Sequence, residues 1–200
     1  MCELIRKGNT KEFIIYMNKE KLSFDGFIKE SIFEMNQFLL NQNKIKIIEY
    51  ATFFGSMEII NFIIKNEEIN PISSMWEYSI HSENNELIHY LQDNEIIPRD
   101  TKHETTLKES IKWHHNYVSR YILNYLIKEE DLENDAENDY SNNLYRFSVE
   151  YDNYSFFPNN IKYKYMFHYL CEFDYCTLVN LYLTTENIDI NSTNIIISTN

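Results

Sequence analysis

Short clusters of apolar residues recur along the chain, each followed by a polar corner and a second cluster. Ile48-Glu49-Tyr50-Ala51-Thr52-Phe53-Phe54-Gly55-Ser56-Met57-Glu58-Ile59-Ile60-Asn61-Phe62-Ile63 lays over the run from Trp76 to Leu91, and that run lays over Leu107 to Ile122. Each segment reads as two helical halves joined by a tight corner at Gly55, Glu83 and His114. The corners stand about 28 and then about 31 residues apart, a spacing typical of stacked helical arrays. A further copy has its corner at Asp174, and Asn9 followed by Phe13, Ile14 and Met17 reads as a first, imperfect copy. After the corners, apolar residues fall at i, i+1, i+4 and i+5: Ile59, Ile60, Ile63 and Ile64, then Leu87, Ile88 and Leu91, then Leu178, Val179, Tyr182 and Leu183. That spacing lays one apolar stripe on a short helix, so each second helix is predicted to pack inward. In the copy cornered at His114, Ser119 takes the second apolar position and leaves Val118, Ile122 and Leu123, which predicts weaker packing.

Helix starts are marked by Ser74-Met75-Trp76-Glu77 and Thr106-Leu107-Lys108-Glu109, whose hydroxyl-x-x-Glu spacing satisfies two free amide donors reciprocally. One copy of about 30 residues cannot bury its stripe alone, whereas stacked neighbours can. The expected fold is therefore all-α, a helical repeat solenoid of paired short antiparallel helices, spanning residues 1–200 as a single domain. Residues 129–140 are acidic and nearly free of apolar side chains, which predicts an exposed loop. From Leu144 to Phe157 a helical pattern returns with Leu144, Phe147 and Tyr151 and stops at Pro158, so this copy is expected to lack its second helix.

Composition narrows the function. The net charge is -13, with Lys and Arg scattered, so a phosphate backbone would be repelled and no nucleic acid is expected as partner. Apolar runs such as Phe13-Ile14-Ile15 are far shorter than the ~18 residues that span a bilayer, which argues against membrane insertion. The start lacks the basic stretch and long apolar core of a secretory signal. Cys2, Cys171 and Cys176 suit reduced thiols better than a disulfide framework, so the expected location is the cytoplasm, and the glycosylation-like triplets at Asn153 and Asn191 carry little weight.

Taken together, the repeats resemble ankyrin repeats, whose first helix ends Ala-Ala-x-x-Gly and whose second opens three residues later with Ile-Val-x-x-Leu-Leu. Ala51-Thr52-Phe53-Phe54-Gly55-Ser56-Met57-Glu58-Ile59-Ile60-Asn61-Phe62-Ile63-Ile64 is similar, and Asn187-Ile188-Asp189-Ile190-Asn191 looks like the Ala-Asp-Val-Asn that opens the next hairpin. The order of Leu4-Ile5-Arg6, Glu12-Phe13-Ile14, Ser31-Ile32-Phe33-Glu34, Phe53-Phe54-Gly55-Ser56, Met75 to His81 and Phe156-Phe157-Pro158 resembles the divergent ankyrin-like domain of unknown function found in large protist ankyrin families. The resemblance implies an ankyrin-like solenoid across nearly the whole chain. Two departures stand out: only Gly55 keeps glycine among the four corners, and the Thr-Pro-Leu-His start of standard repeats is missing. The chain also stops where a further repeat would open, so an incomplete C-terminal repeat without a polar cap is expected.

The resemblance further implies a protein–protein interaction scaffold, because residues just before the corner commonly face the concave groove that takes a protein partner. Those positions are Phe53 and Phe54, His81 and Ser82, Lys112 and Trp113, Glu172 and Phe173, with Phe54, Trp113 and Phe173 as a candidate aromatic ladder. Such rings are typical interface anchors. The competing expectation is that they pack between neighbouring repeats, where scarce Ala leaves room. A second functional expectation is an array fragment that self-associates through its C-terminal repeat, and a hydrolase is a minor third. His168, Cys171 and Cys176 are the nearest approach to a metal ligand set, yet buried thiols in a helix pair are the expected reading, and His114 and His115, adjacent on the chain, point about 100° apart if helical. No Gly-rich phosphate loop, Gly-x-Ser-x-Gly elbow or His-Glu-x-x-His is present, so no cofactor, no metal and no enzyme activity are expected.

Overall fold

The structure is a computed structural model that describes residues 1–29, 34–66, 69–82, 84–99, 103–127, 140–157 and 166–185. All of the expected acidic loop near 129–140 except Tyr140, the corner residue Glu83 and the ankyrin-like ending 187–191 lie outside the described residues. Helices dominate, and the described residues contain no strand beyond one isolated bridge between Phe27 and Lys46. None of the described helices is long and apolar enough to cross a membrane. The chain divides into two compact units, Met1–Ser110 and Ile111–Asn200.

The first unit opens with the helix pair α1 (Cys2–Arg6) and α2 (Thr10–Lys19), followed by the short α3 (Gln37–Leu40). Two further pairs follow, α4 (Ile47–Phe53) with α5 (Met57–Asn66) and α6 (Met75–Ile80) with α7 (Asn85–Asp93). The unit boundary falls inside α8 (Glu104–Lys112). First helices lie beside first helices: α1 packs on α4 and α4 on α6, which buries every residue of α4. The stripe on α5 behaves as the spacing predicts, with Ile59, Ile60 and Ile63 at 0 % exposure. Each such side chain contributes about 2 kcal/mol of apolar burial. Leu87, Ile88 and Leu91 do the same on α7.

In the second unit, α9 (Asn116–Tyr121) runs on as a π-helical turn, Ile122–Leu126, and Val118, Ser119 and Ile122 are buried on it. Ser119 fits its apolar position because its hydroxyl folds back to donate to the His115 carbonyl. Helix α10 (Tyr140–Glu150) is followed by a 3-10 turn, Tyr154–Phe156, and residues 158–165, on which the expected loss of a second helix falls, lie outside the described residues. Helices α11 (Met166–Glu172) and α12 (Cys176–Thr185) form the next pair, and α10 packs on α11 around Val149, Met166, Leu170 and Tyr182.

One corner recurs through the chain. The backbone turns left-handed at Gly8, Gly55, His114, Asp152 and Asp174, with φ of 63°, 63°, 58°, 56° and 62°. At Gly8, Gly55, Asp152 and Asp174 the same three hydrogen bonds close it. The corner N–H donates to the carbonyl three residues back, the next N–H to the carbonyl four before the corner, and the one after that to the corner's own carbonyl. This is the Schellman closure, which satisfies helix-end carbonyls and favours glycine because L side chains crowd the left-handed region. His114 and the two aspartates hold that conformation without glycine, so the loss of glycine from the sequence does not remove the corner.

The residue four before the corner is small and buried: Ala51, Ser79 (counted from Glu83), Ser110 and Ser148 are all at 0–1 % exposure. The three serines donate to carbonyls of their own helices, those of Trp76, Leu107 and Tyr145. Serine thereby takes the place of alanine with no orphaned hydroxyl in the core.

The first expected helix start is in place, with Ser74 at the N-terminal boundary of α6, and the second is displaced. Ser74 does not cap α6; its hydroxyl donates instead to Glu49 at 2.5 Å, a buried carboxylate that also accepts from the Lys46 N–H at 2.7 Å. Helix α8 begins at Glu104 rather than Thr106, directly after His103, which is left-handed at φ 58° and accepts from the Leu107 N–H. Thr106 is inside the helix and buried.

Candidate partner-binding face at the corners

Phe53 and Phe54 end the first helix of their pair. Phe53 is drawn inward, 6 % exposed, and stacks on Phe38 at 5.8 Å and on His81 at 5.0 Å. The His81 ring, only 4 % exposed, lies 4.2 Å from Phe38, and its Nε2 stands 3.8 Å from the Glu109 carboxylate. These two candidates are thus core side chains held by a ring cluster that includes Phe38 of α3. Ser82 is half-buried and turned to its own backbone, donating to the Ser79 carbonyl and accepting from the Asn84 N–H.

Phe54 is half-buried, with the Arg6 guanidinium 5.1 Å above its ring. Arg6 is fixed there by donating to the Tyr50 hydroxyl at 2.7 Å and to Glu34 at 2.6 Å. Burial pushes the Tyr50 hydroxyl up to about 12, while the bond from Arg6 pulls in the opposite direction.

The second unit holds the other two rings. Trp113 is half-buried with the Lys112 ammonium 5.7 Å from its centre, and Lys112 itself is exposed. Phe173 is half-buried beneath Arg146 at 6.0 Å, and Arg146 donates to Glu172 at 3.0 Å. The three residues immediately before the corners at 55, 114 and 174 are therefore each an aromatic ring covered by a cation. A guanidinium or ammonium over a ring gains roughly 0.5–1 kcal/mol at such exposed sites and leaves the ring edge available for contact. The cations Arg6 and Arg146 are absent from the sequence-based set because each is far along the chain from its ring; no local pattern marks them.

The residue after three of the corners carries a second recurring feature. Ser56 donates to the Ile5 carbonyl at 2.6 Å, Asn153 to the Ile111 carbonyl at 2.9 Å and Tyr175 to the Val149 carbonyl at 2.8 Å. In every case the acceptor sits three residues before the preceding corner and already accepts that corner's N–H. Both lone pairs of the carbonyl are thus used, one within the pair and one by its neighbour. Asn84 makes a shifted version, donating to the Gly55 carbonyl at 3.3 Å while its amide oxygen caps α7. No family model, curated protein or solved structure matches the chain. The recurring corner and its side-chain tie stand on this chain's own geometry.

The candidate ligand set of His168, Cys171 and Cys176 is not brought together, and no group of three metal-holding side chains occurs among the described residues. The expectation of buried thiols is corrected as well: Cys171 and Cys176 are both exposed, since they stand at the end of α11 and the start of α12 on either side of the corner. The Cys176 thiol donates to Asp174 at 3.2 Å, and that bond pushes its pKa up. His114 occupies the corner itself and His115 precedes α9, so the two histidines do not share a helix.

Proposed function

We propose that this chain is a divergent ankyrin-like repeat protein, a solenoid of paired short antiparallel helices that holds a protein partner through the cation-covered rings before its corners. The observation that carries the reading is the tie from the residue after one corner to the carbonyl three before the preceding corner, found at Ser56, Asn153 and Tyr175. A bond repeated in one register favours stacked copies of one unit over an irregular bundle. Phe54, Trp113 and Phe173 are the candidate binding rings, each one residue before a corner, and Phe53 packs against Phe54 from the core at 4.9 Å. The role is binding rather than catalysis. The cytoplasm is the proposed location: the cysteines are free, and Asn153, the acceptor of one glycosylation-like triplet, is 1 % exposed with its amide nitrogen committed to two hydrogen bonds.

The test is a pull-down from native lysate with the wild-type chain and a Phe54→Ala/Trp113→Ala variant whose helical signal and melting temperature match wild type. A protein retained by wild type and lost by the variant supports the scaffold. A variant that retains the same protein equally well sinks the role of the rings, and a Trp113→Ala chain that unfolds reassigns that ring to the core.

A further inference from the structure

We propose that a cavity in the first unit, beside α1, α2 and the bridge at Phe27, binds a small molecule that carries one carboxylate on an apolar body. The cavity holds about 400 Å³, within the range of small-molecule clefts. Cys2 of α1, Tyr16 of α2, Leu22, Phe27 and Ile47 line it, so its walls are largely apolar. One stretch of wall is bare backbone at Gly26, whose N–H closes a turn by donating to the Ser23 carbonyl at 3.0 Å. A Cβ at Gly26 would come within 2.8 Å of that carbonyl and 3.8 Å of Ile47 Cδ1, so no side chain fits there unless the turn moves. Ile47 is 2 % exposed, whereas Phe27 stands at the rim, 52 % exposed. An apolar guest here takes its own surface and that of the walls out of water.

Two lysines at the rim select the guest. Phe27 pairs with Lys46 across the antiparallel bridge, and the Ile28 N–H donates to the Ile45 carbonyl at 2.7 Å. The same register sets Lys29 opposite Lys44. Lys29 lines the cavity, and the Lys44 ammonium lies 5.7 Å from the centre of the Phe27 ring. Like charges that face each other across such a pairing are unfavourable. Asp25, on the same turn, is held by Lys46 at 2.8 Å, and neither Lys29 nor Lys44 forms an ion pair among the described residues. In a chain with 31 acidic and 18 basic residues, two neighbouring ammoniums without an acid make a place where an anion relieves repulsion. A carboxylate between them offsets both charges while the apolar body attached to it fills the cavity. A neutral guest would leave the repulsion in place, and a bare anion would leave the cavity unfilled. The site uses none of the rings before the corners, so it stands or falls independently of the scaffold reading.

Titration of the full chain with octanoate, octanol and acetate, followed by calorimetry and by amide shift mapping in NMR, tests it. Octanoate is expected to bind more tightly than either of the others, with shifts centred on Cys2, Leu22, Gly26 and Ile47. Lys29→Gln and Lys44→Gln are each expected to weaken octanoate about threefold to fivefold and to leave octanol unchanged. Lys65→Gln, at an exposed position on α5, removes the same charge elsewhere and is expected to bind octanoate as wild type does. Should a variant fail to fold, wild type at rising salt reads the same contribution, because screening weakens octanoate binding and spares octanol. Equal binding of octanol and octanoate, lysine variants that match Lys65→Gln, or no shift at the cavity in millimolar octanoate overturns the proposal.

Discussion

Asn153→Ala is the most informative single change to the corner register. Asn153 is 1 % exposed, and its amide nitrogen donates to the Ile111 carbonyl at 2.9 Å and to the Asn116 side-chain oxygen at 2.8 Å. Each buried hydrogen bond contributes about 1 kcal/mol, and leaving acceptors without their donor adds a further fraction, so the expected loss is about 2–3 kcal/mol. Ile111 keeps the His114 N–H as donor, which holds the loss below what a fully orphaned carbonyl would cost. For a compact unit of this size, about 2 kcal/mol lowers the melting temperature by roughly 10 °C. The assay is urea unfolding followed by far-ultraviolet circular dichroism, with Asn116→Ala as a partner expected to cost about 1 kcal/mol because it removes one of Asn153's two bonds and an exposed bond to Ser155 that contributes little. A loss below about 0.5 kcal/mol for Asn153→Ala, the range of an ordinary surface change, refutes the idea that this side chain ties neighbouring pairs together.

Two further predictions concern the corners and the pH response. His114→Gly is expected to stabilise by up to about 1 kcal/mol, because it relieves a left-handed non-glycine residue, whereas Gly55→Ala is expected to cost about 1–2 kcal/mol; its new Cβ would come within 3.2 Å of Asn84 Cβ and 3.3 Å of Ser82 Cβ. Thermal melts of the two variants should move in opposite directions, and a shared direction contradicts the corner assignment. Burial raises the Tyr50 hydroxyl to about 12, above an unfolded value of about 10, so the folded state favours its protonated form. That contribution is complete below about pH 10 and is lost as pH rises from there towards about 12; urea midpoints should fall over this window and fall less in Tyr50→Phe, while equal slopes refute it.

Much of the architecture is legible in the sequence because it rests on local spacing. The corners at Gly55, His114 and Asp174 and the buried stripes on α5 and α7 follow from local apolar spacing, whereas Leu183 of the last stripe stands 39 % exposed; Pro158, where the copy after α10 is expected to lose its second helix, lies outside the described residues. The serine-for-alanine exchange at Ser79, Ser110 and Ser148 emerges only from the structure, because the Asp152 corner and the hydroxyl bonds to the helix carbonyls leave no apolar mark in the sequence. What local spacing does not carry is long-range pairing. Ser74 looks like a helix cap until Glu49, 25 residues away, takes its hydroxyl. Phe53 and His81 look like surface anchors until α3 brings Phe38 between them. The cations over Phe54 and Phe173 are equally non-local, which is why the candidate site was only half legible.

The most direct measurement of the central claim, one corner used repeatedly, is native-state hydrogen exchange read at single amides. The N–H groups of Asn9, Ser56, Asn153 and Tyr175 all donate to the carbonyl four before the corner. They are predicted to exchange slowly, with protection comparable to the interior helical amides of their own unit. Exchange of these four amides at the rate of unstructured loops would contradict the shared corner and, with it, the repeat reading of the chain.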